Sequence, residues 1–438
     1  MRIAIIAEVY LPKVDGVVNR TMNLIQQLVR RNDDVLVVCP QAEGSKASPV
    51  PIFECPSFPF LLYPEYRIAL PDKRLVKQLE HFAPDVVHYV NPFAFGFRCF
   101  DLLHRAGMRN PTVFSFHTLY GEFVKKYKLL KPLSHLLWWL MREHHNRADI
   151  NLTVSRIMQE ELQERGFQRV EFWPPAVDGR LFHPSRQSSE MRARLAKGQA
   201  DKQLLLTVSR LAPEKNVGFL AAILDQFPNA CLAVVGDGPQ RAELERLFSS
   251  RNAHFVGYLK GAELAAAYAS ADAFVYASET ETMGNVILEA MACGCAVAAP
   301  RAGGIPSLVT HGETAMLFAP GNMQEAVAVT QTLLSDHVLR ARIKQAARQT
   351  VEGWDWEHSI ERVRQVYLQA IENYRPSSDA LTLKQRLAEI VVSCLVFGFR
   401  ACGQMIPKEN HENTKVRKHE KERASGSTSN STRFLTLL

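Results

Sequence analysis

The chain has 438 residues, of which 47% are hydrophobic and 22% charged, and its formal net charge is +7. This length exceeds a single hydrophobic core, so we expect two domains, and the composition is ordinary for a soluble globular protein. The net charge is only modestly positive, and the sequence contains no long block of Lys and Arg. A net charge of this size suits a phosphate-bearing small molecule or an anionic membrane surface as well as nucleic acid, but without a Lys/Arg block nothing favours nucleic acid, and we expect none as a partner.

Eight cysteines are scattered along the chain, and only Cys293 and Cys295 lie close together. No Cys-x-x-Cys pair or Cys/His cluster has metal-site spacing, which predicts buried thiols in a reducing compartment. The first residues resemble a signal peptide only superficially, because Glu8 interrupts a short apolar run and no small-residue cleavage site follows. We therefore expect a cytoplasmic protein whose first strand starts at the N-terminus.

The first half begins with a strand at 2–10 (RIAIIAEVY), a glycine-bearing loop at 11–16, an amphipathic helix at 17–31 and a strand at 33–40. Apolar runs at 84–92 (PDVVHYVNP) and 111–118 (PTVFSFHT) predict further strands. These runs are apolar throughout rather than alternating, which is typical of parallel strands covered on both faces.

The same order restarts at residue 203, which predicts two doubly wound α/β domains in series. We place the first domain at 1–178, the second at 179–375 and a tail at 376–438, because Pro, Gly and Asp cluster near the junction. The predicted helix at 359–374 could pack back on the first domain. The predicted elements of the second half are the strands 203–208, 230–235, 253–259, 272–278 and 314–320, the helix 217–227, and a helix starting near 284.

Two such sheets leave a cleft at the carboxyl ends of their strands, where ligands bind. The stretch SETETMGNVILEAMACG, 278–294, follows one of these strands. The free amides of Gly284, Asn285 and Val286 at the start of a helix suit a phosphate oxygen. Glu281 before the helix and Glu289 within it can each accept hydrogen bonds from a polyol. A phosphate flanked by two polyols is a nucleotide sugar; the alternative is that these acids only complement the helix dipole.

Positive charge for a diphosphate comes from Arg210 and Lys215, in the loop after the strand that opens the second half. Gly16, at the mouth of the first strand, lets its loop approach the diphosphate from the other side. His117 ends a strand at the same cleft and is either a polar contact to the transferred sugar or a structural histidine. Glu279 is interpreted as a dipole-complementing acid.

The sequence resembles the retaining glycosyltransferases of family 4, which have the GT-B fold of two Rossmann-like domains facing across a cleft. The motifs VSRLAPEKN, VVGDGPQ, PAVDGRLFHP and ETMGNVILEAMACG carry this resemblance, which covers about residues 1–375. It implies that the catalytic contacts to the donor sugar are His117 and Glu281. It further implies donor-binding roles for the ribose contact Glu289, the diphosphate contacts Arg210 and Lys215, the helix start at Gly284, Asn285 and Val286, and the loop glycine Gly16. Where the family commonly has Phe, this chain has Met283.

Within the family the chain is similar to the sulfolipid synthases, which move sulfoquinovose from UDP-sulfoquinovose to diacylglycerol. The stretches 54–92, 116–127 and 177–195 carry this likeness. GDP-mannose-dependent mannosyltransferases and glycolipid synthases that use UDP-glucose or UDP-glucuronate are the alternatives. A sulfonate on the donor requires a cation, for which Lys13, Arg20 and Arg67 are the candidates.

No nucleophile for a two-step reaction is evident, so the resemblance implies front-face departure of the nucleoside diphosphate. No Asp-x-Asp motif occurs, and we expect neither an obligatory metal nor another cofactor. The family's signature is a pair of glutamates separated by seven residues, which Glu281 and Glu289 match. A same-fold epimerase and an inactive transferase scaffold are less consistent with this intact pair.

A diacylglycerol acceptor requires peripheral membrane contact at the cytoplasmic face. Segment 125–147, with Trp138 and Trp139 between basic ends, is either an interfacial helix or a core helix. In the tail, the apolar run 390–399 is too short to span a bilayer and is expected on the surface or against the body. The polar residues 407–434 are predicted to be disordered.

Overall fold

Two parallel sheets form the framework of the protein, as the apolar runs predict. The structure, a computed structural model, describes residues 1–13, 15–42, 48–60, 63–118, 120, 131–199, 201–375 and 381–404, without the side chains of 63–65, 131 and 397–404. Within these residues the first sheet has seven strands in the order β3-β2-β1-β6-β7-β8-β9, all parallel. Its strands are β1 (Arg2–Ala7), β2 (Asp34–Pro40), β3 (Ile52–Cys55), β6 (Val86–Val90), β7 (Thr112–Phe116), β8 (Ile150–Thr153) and β9 (Val170–Phe172).

Helices cover both faces of this sheet, so its central strands are buried throughout. A two-stranded antiparallel hairpin, β4 (Ser57–Phe60) with β5 (Tyr63–Ala69), stands apart from the sheet. The helices along this part of the chain are α1 (Gly16–Arg30), α2 (Lys73–Phe82), α3 (Ala94–Arg105), α4 (Ser134–His145) and α5 (Arg156–Glu164). Ser155 caps α5 by accepting a hydrogen bond from the Met158 amide.

The second sheet repeats the architecture with six parallel strands in the order β12-β11-β10-β13-β14-β15. Its strands are β10 (Gln203–Val208), β11 (Ala230–Val235), β12 (Ala253–Gly257), β13 (Ala273–Val275), β14 (Ala296–Pro300) and β15 (Met316–Phe318). The accompanying helices are α6 (Ser189–Leu195), α7 (Phe219–Leu224), α8 (Arg241–Leu247), α9 (Gly261–Ser270), α10 (Asn285–Ala292), α11 (Met323–Ser335) and α12 (His337–Val351). β13 ends three residues before the predicted end at 278, because the chain turns there into the loop that carries Glu281.

The helix that follows the second sheet crosses back to the first one. This helix, α13 (Trp356–Asn373), buries Ile360, Val363 and Val366 in one cluster with the first sheet. The Tyr367 hydroxyl hydrogen-bonds His88 Nδ1 at 2.6 Å inside that cluster. The expectation that this segment packs on the first domain is confirmed.

A final helix, α14 (Leu383–Gln404), lies against the body of the first domain. Glu389 on its inner face pairs with Arg105 at 2.6 Å and with Arg147 at 3.1 Å, and Arg98 donates to Ser393. The apolar run of the tail is therefore a docked helix. None of the helices that the structure describes is long and apolar enough to cross a membrane.

The predicted interfacial segment 125–147 is only partly described, since residues 125–130 lie outside the described residues. The described part contains α4, and of the two alternatives for this segment the core helix holds for Trp138, which is 8% exposed and packs in the core. Its buried position follows from helical spacing, because Leu137 and Met141 on the same face are also buried. Leu133 and Leu136 remain exposed. The polar segment predicted at 407–434 also lies outside the described residues.

Candidate active site

The predicted donor residues lie where the two sheets face each other. Gly16 begins α1 immediately after the β1 loop, and a Cβ added there would lie 3.1 Å from the Asn285 side chain. Thr282 donates a hydrogen bond to the His117 backbone oxygen at 2.7 Å, across the same boundary. The structure thus brings together residues that are up to 269 positions apart (16 and 285) in one cleft.

The start of α10 presents open backbone amides. Gly284 caps the helix with a φ of 95°, a left-handed conformation that favours glycine, and no described side chain caps the amides that follow. The amides of Gly284, Asn285 and Val286 therefore stand at a helix N-terminus that can bind an anion. The helix begins at the residue that the sequence predicts.

Glu281 lies beside this helix start and is held by two donors. Lys215 Nζ and the Tyr276 hydroxyl both donate to Glu281 Oε1, the latter at 2.7 Å. Burial alone would raise the pKa of Glu281, but the Lys215 ammonium and the hydrogen bonds from Lys215, Ser278 and Tyr276 lower it below its ordinary value. Glu281 is therefore a carboxylate with a fixed orientation.

The backbone around Glu281 is fixed by a glycine pair. The Gly304 amide donates to the Glu281 backbone oxygen at 2.7 Å. A Cβ on Gly303 would lie 2.3 Å from that oxygen, and one on Gly304 would lie 2.1 Å from the Thr282 oxygen. Both distances are far inside van der Waals contact, so only glycine allows this loop to support the acid.

Three cations lie in the loops that lead into this site, and of these Lys215 contacts Glu281. Arg210 and Lys215 lie in the loop after β10, and Lys13 lies in the loop after β1. Lys13 Nζ and the Arg210 guanidinium both lie over the Tyr66 ring, 2.8 Å and 5.9 Å from its centroid. Burial lowers the pKa of Lys13 to about 8, with neighbouring Asp15 opposing the shift. Such a cluster suits a diphosphate.

Glu289 lies along α10 and accepts a hydrogen bond from the Tyr268 hydroxyl at 3.0 Å. Burial raises the pKa of the Glu289 carboxyl to about 7, although the Tyr268 hydrogen bond acts to lower it. The two acids therefore differ: Glu281 has a cationic partner and ionises readily, whereas Glu289 has a neutral partner and titrates near pH 7.

His117 lies at the end of β7 and is 7% exposed. Its Nε2 hydrogen-bonds Ser115 at 3.0 Å, and its ring meets the edge of Trp173 with centroids 5.4 Å apart. Burial, with the nearby Arg20 charge adding to it, holds the pKa of His117 well below its ordinary value. His117 is consequently a neutral imidazole and can offer a polar contact without carrying charge.

Two tyrosines were missed by sequence reasoning. Tyr268 and Tyr276 orient Glu289 and Glu281, yet each lies in an element that reads as core. Nothing in the local sequence marks their hydroxyls as partners of the acids, because the contacts depend on tertiary packing. Among the described residues no group of three or more His, Cys, Asp or Glu side chains is arranged to hold a metal ion.

Comparison with known families agrees with this arrangement. The model of the group 1 glycosyl transferases matches residues 189–350, and that of glycosyltransferase family 4 matches residues 14–180. The fold and the cleft thus define a nucleotide-sugar glycosyltransferase of the GT-B type. The chain belongs to glycosyltransferase family 4, which confirms the resemblance inferred from its motifs.

Three curated relatives cover most of the chain. The sulfoquinovosyl transferase SQD2 of Arabidopsis thaliana is 35% identical, over 80% of this chain and 70% of its own length. A GDP-mannose-dependent alpha-mannosyltransferase of Mycolicibacterium smegmatis is 34% identical, over 81% and 94%. An alpha-monoglucosyldiacylglycerol synthase of Acholeplasma laidlawii is 26% identical, over 73% and 85%.

Among solved structures, Anabaena HepE in complex with UDP and glucose superposes with a TM-score of 0.68. The alignment covers 84% of this chain and 99% of HepE at 21% identity. This likeness establishes the fold, and it agrees with the two parallel sheets that the sequence predicts.

Proposed function

We propose that this protein is a retaining glycosyltransferase that moves sulfoquinovose from UDP-sulfoquinovose to diacylglycerol. The observation that carries the assignment of a donor site is the contact of Lys215 with Glu281 beside the open start of α10, the helix that also carries Glu289. The similarity to SQD2 over four-fifths of the chain supports sulfoquinovose as the sugar.

Each part of a nucleotide sugar has a partner in this cleft. The diphosphate binds Arg210, Lys215 and the amides of α10, the ribose binds Glu289, and the transferred sugar lies between Glu281 and His117. Lys215 contacts Glu281 in the resting site, so its ammonium is held at the boundary between diphosphate and sugar.

In the proposed reaction the bond between the sugar C1 and the β-phosphate oxygen breaks as the acceptor oxygen bonds to C1 on the same face. The acceptor proton passes to a β-phosphate oxygen of the departing UDP. Arg210, Lys215 and the α10 amides stabilise the charge that develops on that oxygen, which is the form of catalysis with the largest usual effect. Since these groups supply the positive charge, we propose that no metal is obligatory and that activity persists in EDTA.

The acceptor calls for contact with a lipid surface. Exposed aliphatic side chains lie on the mutually packed helices α4 and α14, at Leu136 and at Leu383, Leu387 and Ile390. Leu133, just before α4, adds to them. An apolar face on amphipathic helices is suited to lie in a membrane interface, and we propose that this face touches the membrane that holds diacylglycerol. In this proposal these exposed aliphatic side chains, rather than the buried Trp138, make the membrane contact.

The assignment is tested by a donor panel on diacylglycerol vesicles, with UDP-sulfoquinovose, UDP-glucose, UDP-glucuronate and GDP-mannose offered one at a time. We expect a sulfoquinovosyl lipid, read by mass spectrometry, with the α-configuration of the donor kept in the proton spectrum of the product. A mannosyl product as the major one would favour the alternative function, which the mannosyltransferase relative supports. An inverted anomeric centre would contradict the mechanism.

The titration of Glu289 gives a second prediction. An ionised Glu289 accepts hydrogen bonds from both ribose hydroxyls, so UDP affinity is expected to rise severalfold as the pH passes through about 7. Stability moves the other way. Because folding raises this pKa from 4.5 to about 7, the folded state holds the proton more tightly and loses stability as the pH rises across that window.

Calorimetric titration of UDP between pH 6 and pH 8 measures the first trend, and melting curves between pH 4.5 and about pH 7 measure the second. Glu289→Gln is the matched variant, since its amide keeps the size of the side chain and does not titrate. In this variant we expect weaker UDP binding that lacks the rise due to Glu289, whereas the pH effects of Lys13 and of the UDP phosphate stay as in the wild type. A wild-type profile with the same pH dependence as that of Glu289→Gln would contradict the assigned role of Glu289.

A further inference from the structure

Arg20, on the second turn of α1, is a buried cation that the described residues do not neutralise. Its side chain is 2% exposed. Nη2 donates to the backbone oxygens of Trp173 at 3.2 Å and Pro174 at 2.7 Å. Nη1 contacts Met283 Sδ at 3.1 Å, and Nε has no hydrogen-bond partner among the described residues. Nη1 thus has only a thioether sulfur, a weak acceptor, as its partner, and Nε has none among the described residues.

The charge of Arg20 is costly where it lies. Burial lowers its pKa to about 9, and no neighbouring acid in the described residues offsets that shift. Arg20 is still a cation at neutral pH, and a buried charge without a counter-charge is normally tolerated only where it binds something. The two backbone oxygens satisfy one nitrogen and supply no negative charge.

The position of Arg20 points to the transferred sugar. Its guanidinium carbon lies 4.2 Å from the Trp173 ring, and the His117 ring lies against the same tryptophan. Its sulfur contact, Met283, stands between Thr282 and the helix cap Gly284, in the loop that carries Glu281. Arg20 therefore borders the part of the cleft that lies between the two residues assigned to the sugar.

The other two candidate cations are already engaged elsewhere. Lys13 Nζ makes no hydrogen bond within the described residues, but it has a counter-charge in Asp15 at 3.6 Å and lies over the Tyr66 ring, beside Arg210. Arg67 donates from Nε to the Ser57 hydroxyl at 2.8 Å and from Nη2 to the Ser57 backbone oxygen, within the β4–β5 hairpin. Arg20 is the one of these three that combines burial, spare donors and a place beside His117.

We propose that Arg20 forms an anion-binding subsite for the transferred sugar and selects donors that carry a sulfonate. The sulfonate oxygens would replace the Met283 sulfur as acceptors and supply the missing negative charge. This inference rests on the proposed function, because it assumes that the sugar lies between Glu281 and His117. A carboxylate is the nearest competing anion, and it has fewer oxygens to share among the guanidinium donors.

The test compares equilibrium binding of UDP, UDP-glucose, UDP-glucuronate and UDP-sulfoquinovose by calorimetry. We expect the wild type to prefer UDP-sulfoquinovose over UDP-glucose by about tenfold to hundredfold, the usual worth of a charge-assisted contact. Arg20→Met should abolish this preference and leave UDP affinity unchanged. Arg20→Lys should retain part of it, because the charge stays while the planar fork is lost.

Two further variants serve as matched controls. Lys13→Met is expected to weaken all four ligands by the same factor, since it acts on the shared diphosphate. Arg67→Met removes the same charge as Arg20→Met and is expected to leave all affinities unchanged. A merely structural role for Arg20 would lower the melting temperature and weaken all four ligands alike.

Met283→Glu tests the subsite without removing Arg20. A carboxylate at this position would neutralise the guanidinium, so we expect a higher melting temperature together with loss of the preference for UDP-sulfoquinovose. A Met283→Glu or Arg20→Met protein that still prefers UDP-sulfoquinovose would overturn the inference. A wild type without any preference between UDP-sulfoquinovose and UDP-glucose would overturn the proposed function itself.

Discussion

Glu281→Gln is expected to lower the rate of transfer by about 10²- to 10³-fold, the size of effect seen when one preorganised polar group is lost from an active site. The carboxylate accepts hydrogen bonds from Lys215 and Tyr276 and stands beside the start of α10. An amide keeps the shape but loses the charge that fixes the Lys215 ammonium. Steady-state transfer to diacylglycerol vesicles measures the rate, and UDP titration measures binding separately.

Glu279→Gln is the matched control for this prediction, because it removes a neighbouring acid from the same loop. We expect it to leave the transfer rate close to that of the wild type. Equal losses in both variants would mean that the loop as a whole, rather than the Glu281 carboxylate, matters for the reaction. A fully active Glu281→Gln enzyme would contradict the assigned role outright.

Lys215→Met is expected to have a similarly large effect, about 10²- to 10³-fold on kcat/KM, because it removes charge from the departing diphosphate. Lys215→Arg keeps the charge on a longer, planar group, so its kcat/KM should lie between those of the wild type and Lys215→Met. Unlike Glu281→Gln, the Met variant should also weaken UDP binding. Initial rates at saturating acceptor give kcat/KM for the donor, and calorimetric titration with UDP gives the binding affinity.

The Lys215–Glu281 contact makes a further check possible through a double-mutant cycle. Since the two side chains form one unit, the combined Lys215→Met and Glu281→Gln losses should be smaller than the product of the single losses. Strictly multiplicative losses would show that the two residues act independently, and the assignment of Lys215 to the boundary between sugar and diphosphate would then be wrong.

Much of the framework could be predicted from the sequence because it depends on local pattern. The apolar runs predicted parallel strands, and the restart at residue 203 coincides with the first strand of the second sheet. The start of α10 could be predicted because a glycine precedes an apolar helical stretch. The predicted junction at 178/179 lies between Phe172, the end of the first sheet, and Gln203, the start of the second. Helix α13 belongs to the predicted second domain by sequence, but it packs on the first sheet.

The partners of the site residues could not be predicted, because they come from distant parts of the chain. Arg20 meets Met283 across 263 positions, and no local signal in α1 indicates that contact. Tyr268 lies in a segment typical of the core, and only the tertiary packing brings its hydroxyl to Glu289. Trp138 looked interfacial from composition alone, whereas helical facing places it inside. Composition describes a segment, but the direction of each side chain depends on what packs beside it.

The most direct test of the central claim is a crystal structure of the protein with UDP-sulfoquinovose or a non-transferable analogue. We expect the β-phosphate at the amides of Asn285 and Val286 and at Lys215, the ribose hydroxyls on Glu289, and the sugar between Glu281 and His117. A donor bound elsewhere, or one bound in this cleft with its ribose away from Glu289 and its phosphates away from α10, would contradict it.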